Sequence, residues 1–169
     1  YVTRLYESLL EREPDASGCD GIVYRFEPNP GESSRPLAQI ASTGEIARVM
    51  LALKAVIAER DAISTLVFDE IDSNIGGETG HAVGEKLLAV AKHHQVIAIT
   101  HLPQPAVYGC RHLVVAKSVS GGRTRSAIRE VSGDARVKEI ARMLGGERAA
   151  SVAQRHAKEL LALAQDGGF

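Results

Sequence analysis

The middle of the chain alternates between amphipathic and continuously apolar segments, which predicts a repeating order of helix and strand. Over residues 42–59 apolar side chains recur every three or four positions, as on one face of a helix. Residues 65–68 are apolar without a break, as in a strand buried on both faces. A second helix over 78–93 and a second buried strand over 96–100 follow. This order predicts an α/β fold with a mainly parallel sheet flanked by helices.

The flanking segments give a less regular pattern. Residues 1–12 are mixed and fit either a helix or a strand, whereas the Pro and Gly residues of 14–21 and 28–36 predict loops. A β-branched and aromatic run predicts a strand over 22–26. Towards the end of the chain the pattern predicts a hairpin of residues 112–117 and 123–131, followed by helices over 134–144 and 149–164.

Polar side chains follow both central strands at the point where each strand ends. Asp69 and Glu70 follow the first strand, and Thr100 and His101 end the second. Ligands of parallel sheets bind beyond the carboxyl ends of the strands. One carboxylate there suits magnesium and the other suits an attacking water, while a neutral His101 ring suits hydrogen-bond donation to a phosphate. Each residue alone equally fits a structural role, with the acids simply ending a strand in solvent.

The residues Ser42, Thr43, Gly44 and Glu45 open the first predicted helix. Ser followed three residues later by Glu is a capping box, which satisfies free backbone amides at a helix start. A helix start beside a glycine also attracts anions, because its amides and the helix dipole favour negative charge. The two interpretations are compatible, since one hydroxyl can cap the helix and also meet a phosphate.

Composition narrows the range of functions. The 20 basic and 21 acidic residues nearly cancel, so no overall field attracts nucleic acid or a membrane. No apolar run reaches the 18 residues of a membrane span. The phosphate-binding pattern GxxxxGK[ST] does not occur, so this polypeptide alone is expected to bind nucleotide poorly. The chain starts without Met, which we interpret as a sign of a cut or processed piece.

The order of the motifs is more specific than any one of them. The sequences ASTGE, LVFDE, DSNIGG and ITH together resemble the carboxyl-terminal half of an ABC ATPase head, a P-loop NTPase fold. The stretches NPGESSRPLAQIASTGEIARVMLALKAV, TLVFDEIDSNIGG, VIAITHLPQPA and RVKEIARMLGG are similar to the RecN family of SMC-like DNA repair ATPases. In that family a long coiled coil separates the two halves of the head. The resemblance implies that residues 1–21 end a coiled-coil arm or linker, and that 22–169 form the second half-head.

The resemblance also implies a role for each motif residue. Asp69 would hold magnesium, Glu70 would act on the attacking water, and His101 would sense the γ-phosphate of ATP. Asp72 would lie in the D-loop at the contact between two heads. The signature motif, which would meet the nucleotide of the second head, consists of Ser42, Thr43, Gly44 and Glu45.

The function that the resemblance implies is ATP hydrolysis between two dimerised heads during repair and recombination of DNA double-strand breaks. The partners would be the Walker A half of the same protein, a second head and, through the full-length protein, DNA, in the bacterial cytoplasm and without a membrane. The family usually has glycine where Thr43 stands. A degenerate head that serves as a dimerisation module is therefore an alternative, as is another SMC-like or transporter head.

Overall fold

A computed structural model describes residues 4–16, 18–27, 31, 33–40, 42–120, 122–145 and 150–166. Its strands are β1 (Arg4–Asp15), β2 (Gly18–Glu27), β3 (Arg35–Pro36), β4 (Thr65–Phe68), β5 (Gln95–Ala98), β6 (His112–Ser120) and β7 (Arg123–Val131). Its helices are α1 (Leu37–Ile40), α2 (Thr43–Ile57), α3 (Gly77–Val90), α4 (Pro103–Ala106), α5 (Gly133–Met143) and α6 (Ala150–Asp166). The predicted α/β class is confirmed, and among the described residues β4 and β5 are the strands that pair in parallel.

The first described segment is an antiparallel sheet in the order β1-β2-β3. Of the two alternatives for residues 1–12, the structure adopts the strand from Arg4 onwards. The loop predicted over 14–21 is wrong, because β1 runs to Asp15 and β2 starts at Gly18. A register irregularity between Glu11 and Asp15 accommodates Pro14, which has no amide hydrogen to pair. The domain boundary predicted after residue 21 falls inside β2, and the coiled-coil assignment of residues 1–21 stays a prediction.

The central unit is the predicted order of helix, strand, helix and strand, with β4 and β5 paired in parallel. Leu66 and Phe68 point to the face that α2 and α3 cover, because alternate strand residues share a face. The apolar cluster on this face consists of Leu51, Leu66, Phe68, Ile71, Val83, Leu87 and Val90. Helix α2 adds Leu51 to this cluster, and α3 adds residues spaced at helical intervals.

The second face of β4 and β5 is open, so the prediction of strands buried on both faces is wrong for this chain. Val67 is 62% exposed and Ile97 is 45% exposed. Ile46 and Met50 of α2, which belong to the predicted apolar stripe, are also largely exposed. No element among the described residues covers this face, although its side chains are apolar, as they are in sheets buried on both faces.

The carboxyl-terminal part combines the predicted hairpin with the two predicted helices. Strands β6 and β7 pair from His112–Val131 to Ser120–Arg123, and Gly122 turns the chain with φ 73°. Helices α5 and α6 pack on each other around Ile140, Ala157 and Leu160, with Val107 next to α4. Within the described residues, none of the helices combines the length and the apolar character that crossing a bilayer requires.

Candidate active site

The start of α2 has the geometry of a complete capping box. The amide of Glu45 donates to Ser42 Oγ at 3.4 Å, and the amide of Ser42 donates to Glu45 Oε2 at 2.8 Å. Ser42 and Thr43 are exposed, and Ser42 Oγ also donates to Glu45 Oε2 at 3.1 Å. The capping prediction is confirmed, and the anion-binding interpretation of the same residues stays a prediction.

Gly44 brings this helix start directly against the turn after β4. A Cβ atom built on Gly44 would lie 2.8 Å from Ser73 Cβ and 2.9 Å from the carbonyl oxygen of Glu70. Both distances are shorter than real Cβ contacts, so the approach requires glycine. The residues predicted as signature motif and as catalytic acid are therefore neighbours within this one chain.

The two predicted acids occupy the end of β4 with exposed side chains. Glu70 has φ 54°, a left-handed conformation that costs a non-glycine residue about 1–2 kcal/mol. The turn is held nonetheless, since the amide of Ser73 donates to the carbonyl oxygen of Glu70 at 3.0 Å. Strained backbone of this kind is common at functional sites.

The carboxylates at this edge suit magnesium, because water and phosphate oxygens usually supply the rest of its ligands. Among the residues that the structure describes, no three His, Cys, Asp or Glu side chains are arranged around a common metal position. Magnesium keeps several waters and usually takes one or two carboxylates together with phosphate oxygens. The exposed carboxylate of Asp69 suits that partial shell, because no ion pair or hydrogen bond in the described part of the chain engages it.

Asp72 lies on the inner side of the same turn and joins it to the end of β5. The side chain is 1% exposed. Its Oδ2 atom accepts hydrogen bonds from Thr100 Oγ1 at 2.5 Å, from the amide of His101 at 2.7 Å and from the amide of Leu102 at 3.0 Å. The carboxylate predicted to lie at the contact between heads is thus turned into its own chain.

The protonation of Asp72 follows from this environment. Burial raises the pKa of the carboxyl, but the Thr100 hydroxyl and the amides of His101 and Leu102 lower it by more. The net result is a pKa below the ordinary value of 3.8, so Asp72 is ionised at neutral pH. A buried carboxylate is thereby stabilised by three donors that all belong to the loop after β5.

His101 is largely exposed but is anchored through one ring nitrogen. Its side chain is 72% exposed, and Nδ1 lies 3.0 Å from Asp72 Oδ2. Because Asp72 is ionised, Nδ1 carries the proton in this contact. Nε2 of a neutral ring is then an acceptor, so donation to a phosphate through Nε2 requires the imidazolium. The sequence prediction of a neutral donor did not include this contact.

Arg48 was not predicted as a site residue, and Thr100 was predicted at this edge without its contact to Asp72. Arg48, one turn along α2 from Glu45, donates through Nη1 to the carbonyl oxygens of Ile71 at 3.1 Å and of Ser73 at 3.0 Å. Thr100 contributes the shortest bond to Asp72. Sequence spacing gives no indication of either contact, because both cross between elements that lie more than 20 residues apart.

The structure therefore links the predicted residues in two groups. Gly44 meets the backbone of Glu70, and Asp72 binds His101. Thr43 and Asp69 line one open groove of ≈ 280 Å³ together with apolar residues of α2 and β4. In the described part of the chain, no hydrogen bond connects the carboxylates of Asp69 or Glu70 to His101.

Comparisons with known proteins agree with the motif order. The chain is 48% identical over 155 residues to DNA repair protein RecN of Treponema pallidum, covering 92% of this chain and 27% of that protein. It is 42% identical to RecN of Streptomyces coelicolor over 88% of this chain and 26% of that protein. The chain thus spans about a quarter of the length of these curated relatives. No protein-family model matches the sequence.

Solved structures identify the fold. The Smc head domain of Pyrococcus yayanosii, with a coiled coil and joint, has a TM-score of 0.58 and 18% identity over 83% of this chain and 26% of that one. A structure from a study of ATP-driven dimerisation and DNA-stimulated activation of SMC ATPases has a TM-score of 0.51 and 19% identity, and covers 86% of this chain and 84% of that one. The fold is that of an SMC-type P-loop NTPase head, and along most of its length the chain is similar in sequence to one part of RecN proteins.

Proposed function

We propose that this chain is the second half of an ATPase head, and that the whole protein hydrolyses ATP with magnesium in the repair of DNA double-strand breaks. The observation that supports this proposal most is the convergence of α2, the turn after β4 and the loop after β5 at one sheet edge. RecN relatives are named as DNA repair proteins, and all those compared are bacterial. We therefore place the protein in the bacterial cytoplasm.

In this proposal the two exposed acids have separate roles. Asp69 binds magnesium, which would neutralise charge on the phosphates of bound ATP. Glu70 orients and polarises the attacking water, since its carboxylate is exposed and unpaired within the described residues. Catalysis of phosphoryl transfer depends mainly on such positioning and on electrostatic stabilisation. His101 meets the terminal phosphate through Nε2, which donates there when the ring is an imidazolium that also donates to Asp72 through Nδ1.

The start of α2 has a different task, which is to meet a nucleotide held by a second head. Ser42 and Thr43 are exposed residues at a helix start, where amides and the helix dipole attract anions. Gly44 fixes this start against the turn that bears Glu70. The Walker A half of the same protein would supply the phosphate loop that this chain lacks, and a second head would complete the sandwich. DNA would act through the full-length protein.

The test is the substitution Glu70→Gln in the full-length protein. Turnover is expected to fall at least about 100-fold, as for loss of a general base, while ATP binding and head dimerisation persist. The matched control is Glu59→Gln, an exposed acid near the other end of β4, which is expected to leave turnover at the wild-type rate. Normal turnover by the Glu70 variant would refute the assignment.

A degenerate head is the second candidate, and Thr43 is the observation that favours it. A side chain with a Cβ and a hydroxyl now stands where a glycine backbone would approach phosphate closely. Undetectable hydrolysis by the wild-type full-length protein, across titrations of ATP and magnesium, would favour a dimerisation module. Recovery of turnover by Thr43→Gly would then identify this residue as the cause.

A further inference from the structure

We propose that Asp72 is a positioning residue for His101, holding the ring and the loop after β5 in place for the reaction. This inference rests on the proposed function, because it concerns the same site. It assigns Asp72 a role within its own head, in place of a direct contact with nucleotide or with a second head. The juxtaposition of a buried carboxylate and an exposed imidazole is its basis.

The hydrogen bonds of Asp72 determine where the loop can lie. One oxygen, Oδ2, receives the hydroxyl of Thr100 and the amides of His101 and Leu102. These three consecutive residues belong to the loop after β5, so the carboxylate fixes the backbone from which the His101 ring projects. Bonds to an ionised acceptor are about twice as strong as neutral ones, and burial strengthens them further.

The contact with Nδ1 determines how the ring is oriented. An ionised acceptor at 3.0 Å from Nδ1 selects the tautomer in which Nδ1 bears hydrogen. Nε2 is on the opposite edge of the ring, and the His101 side chain is 72% exposed. Without Asp72 the ring would rotate and exchange tautomers freely, because no other hydrogen bond to its side chain exists among the described residues.

The turn that presents Asp72 is itself held from the opposite side. Arg48 binds the carbonyl oxygens of Ile71 and Ser73, the two residues that flank Asp72. The Arg48 side chain belongs to α2, whose first residues are expected to meet the nucleotide of a second head. The position of His101 is thus connected to the helix start through three consecutive residues of the turn.

The experiment is a double-mutant cycle in the full-length protein. Asp72→Ala is expected to lower kcat about 10- to 100-fold, the usual effect of removing a residue that orients a functional group, with little change in KM for ATP. In a His101→Ala background the same substitution is expected to cause no further loss, because its target is gone. Asp72→Asn keeps the shape and one acceptor oxygen, so we expect partial rescue, with kcat about 5-fold below wild type.

The control variant is Asp61→Ala, which removes a hydrogen-bonded aspartate near the amino end of β4 and is expected to leave kcat unchanged. Equal losses from Asp72→Ala with and without His101, or wild-type kcat in both Asp72 variants, would overturn the proposal. So would loss of folding in both variants, which would make Asp72 purely structural.

The proposed function has its own separate readout in the same assays. A wild-type protein without turnover refutes the ATPase itself, and the positioning role falls with it. A different result would refute only the role of Asp72. In that case wild type turns over normally, Glu70→Gln does not, and the effects of Asp72→Ala and His101→Ala are additive.

Discussion

The close approach of α2 to the turn after β4 gives the sharpest prediction of stability, the effect of Gly44→Ala. The added methyl group would lie 2.8 Å from Ser73 Cβ and 2.9 Å from the carbonyl oxygen of Glu70. Neither neighbour is the end of a flexible side chain, so backbone must move. Overpacking of this kind costs about 1–3 kcal/mol.

Two further effects act in opposite directions. Replacing glycine by alanine inside a helix stabilises the helix by up to about 1 kcal/mol. The methyl group would also lie 3.0 Å from Arg48 Nη1, whose bonds to the turn are each worth about 1.5–3 kcal/mol as bonds from a charged donor. The net expectation is a loss of about 1–3 kcal/mol in the free energy of unfolding of the head.

The matched control is Gly77→Ala in the first turn of α3. A Cβ atom there would meet Gln104 Nε2 at 3.2 Å, the movable end of a side chain, so we expect an unchanged or slightly raised melting temperature. Thermal unfolding of the full-length protein should show Gly44→Ala lowering the transition of the head by about 2–12 °C, at 2–4 °C per kcal/mol. Its ATPase rate should fall as well, because Glu70 is displaced. A Gly44→Ala protein as stable as Gly77→Ala would refute the packing argument.

Two other predictions concern residues outside the site. Gly84→Ala should lower the melting temperature more than Gly77→Ala, because its Cβ would lie 2.3 Å from Tyr108 Cδ2 and force the ring off α3, as differential scanning fluorimetry would show. Burial and the Arg136 guanidinium hold the pKa of His112 below 6.5, so the unfolded chain binds more protons below that pH. Stability should therefore fall as pH drops from about 7 to about 5, and His112→Gln should flatten that slope; equal slopes would contradict the assignment.

The sequence predicted the central unit well because its patterns are local. The capping box at Ser42, the helical spacing of α3 and the two acids that end β4 are each determined by a few neighbouring residues. Their order then identified the head. The predicted site residues lie at the expected sheet edge, because strands paired in parallel bring their carboxyl ends together.

The errors have a common physical cause, which is that pairing and burial are not local properties. Pro14 and the glycines near it resemble a loop, yet strand pairing with β2 and a register irregularity place them in a hairpin. Val67 and Ile97 are apolar, as in a sheet that is covered on both faces, but the described residues cover only one face of this sheet. The apolar pattern is thus that of a sheet covered on both faces, and the RecN relatives are more than three times as long as this chain.

The turn of residues 71–73 shows why motif order predicted the site but not its internal connections. Asp72 was predicted from the D-loop resemblance, yet its carboxylate is buried and binds the loop after β5. Arg48 holds the same turn from α2. In the proposed function, a change at the helix start would therefore act on His101 through this hydrogen-bonded turn. We therefore expect Arg48→Ala to make turnover less dependent on head dimerisation, with a smaller effect on ATP binding.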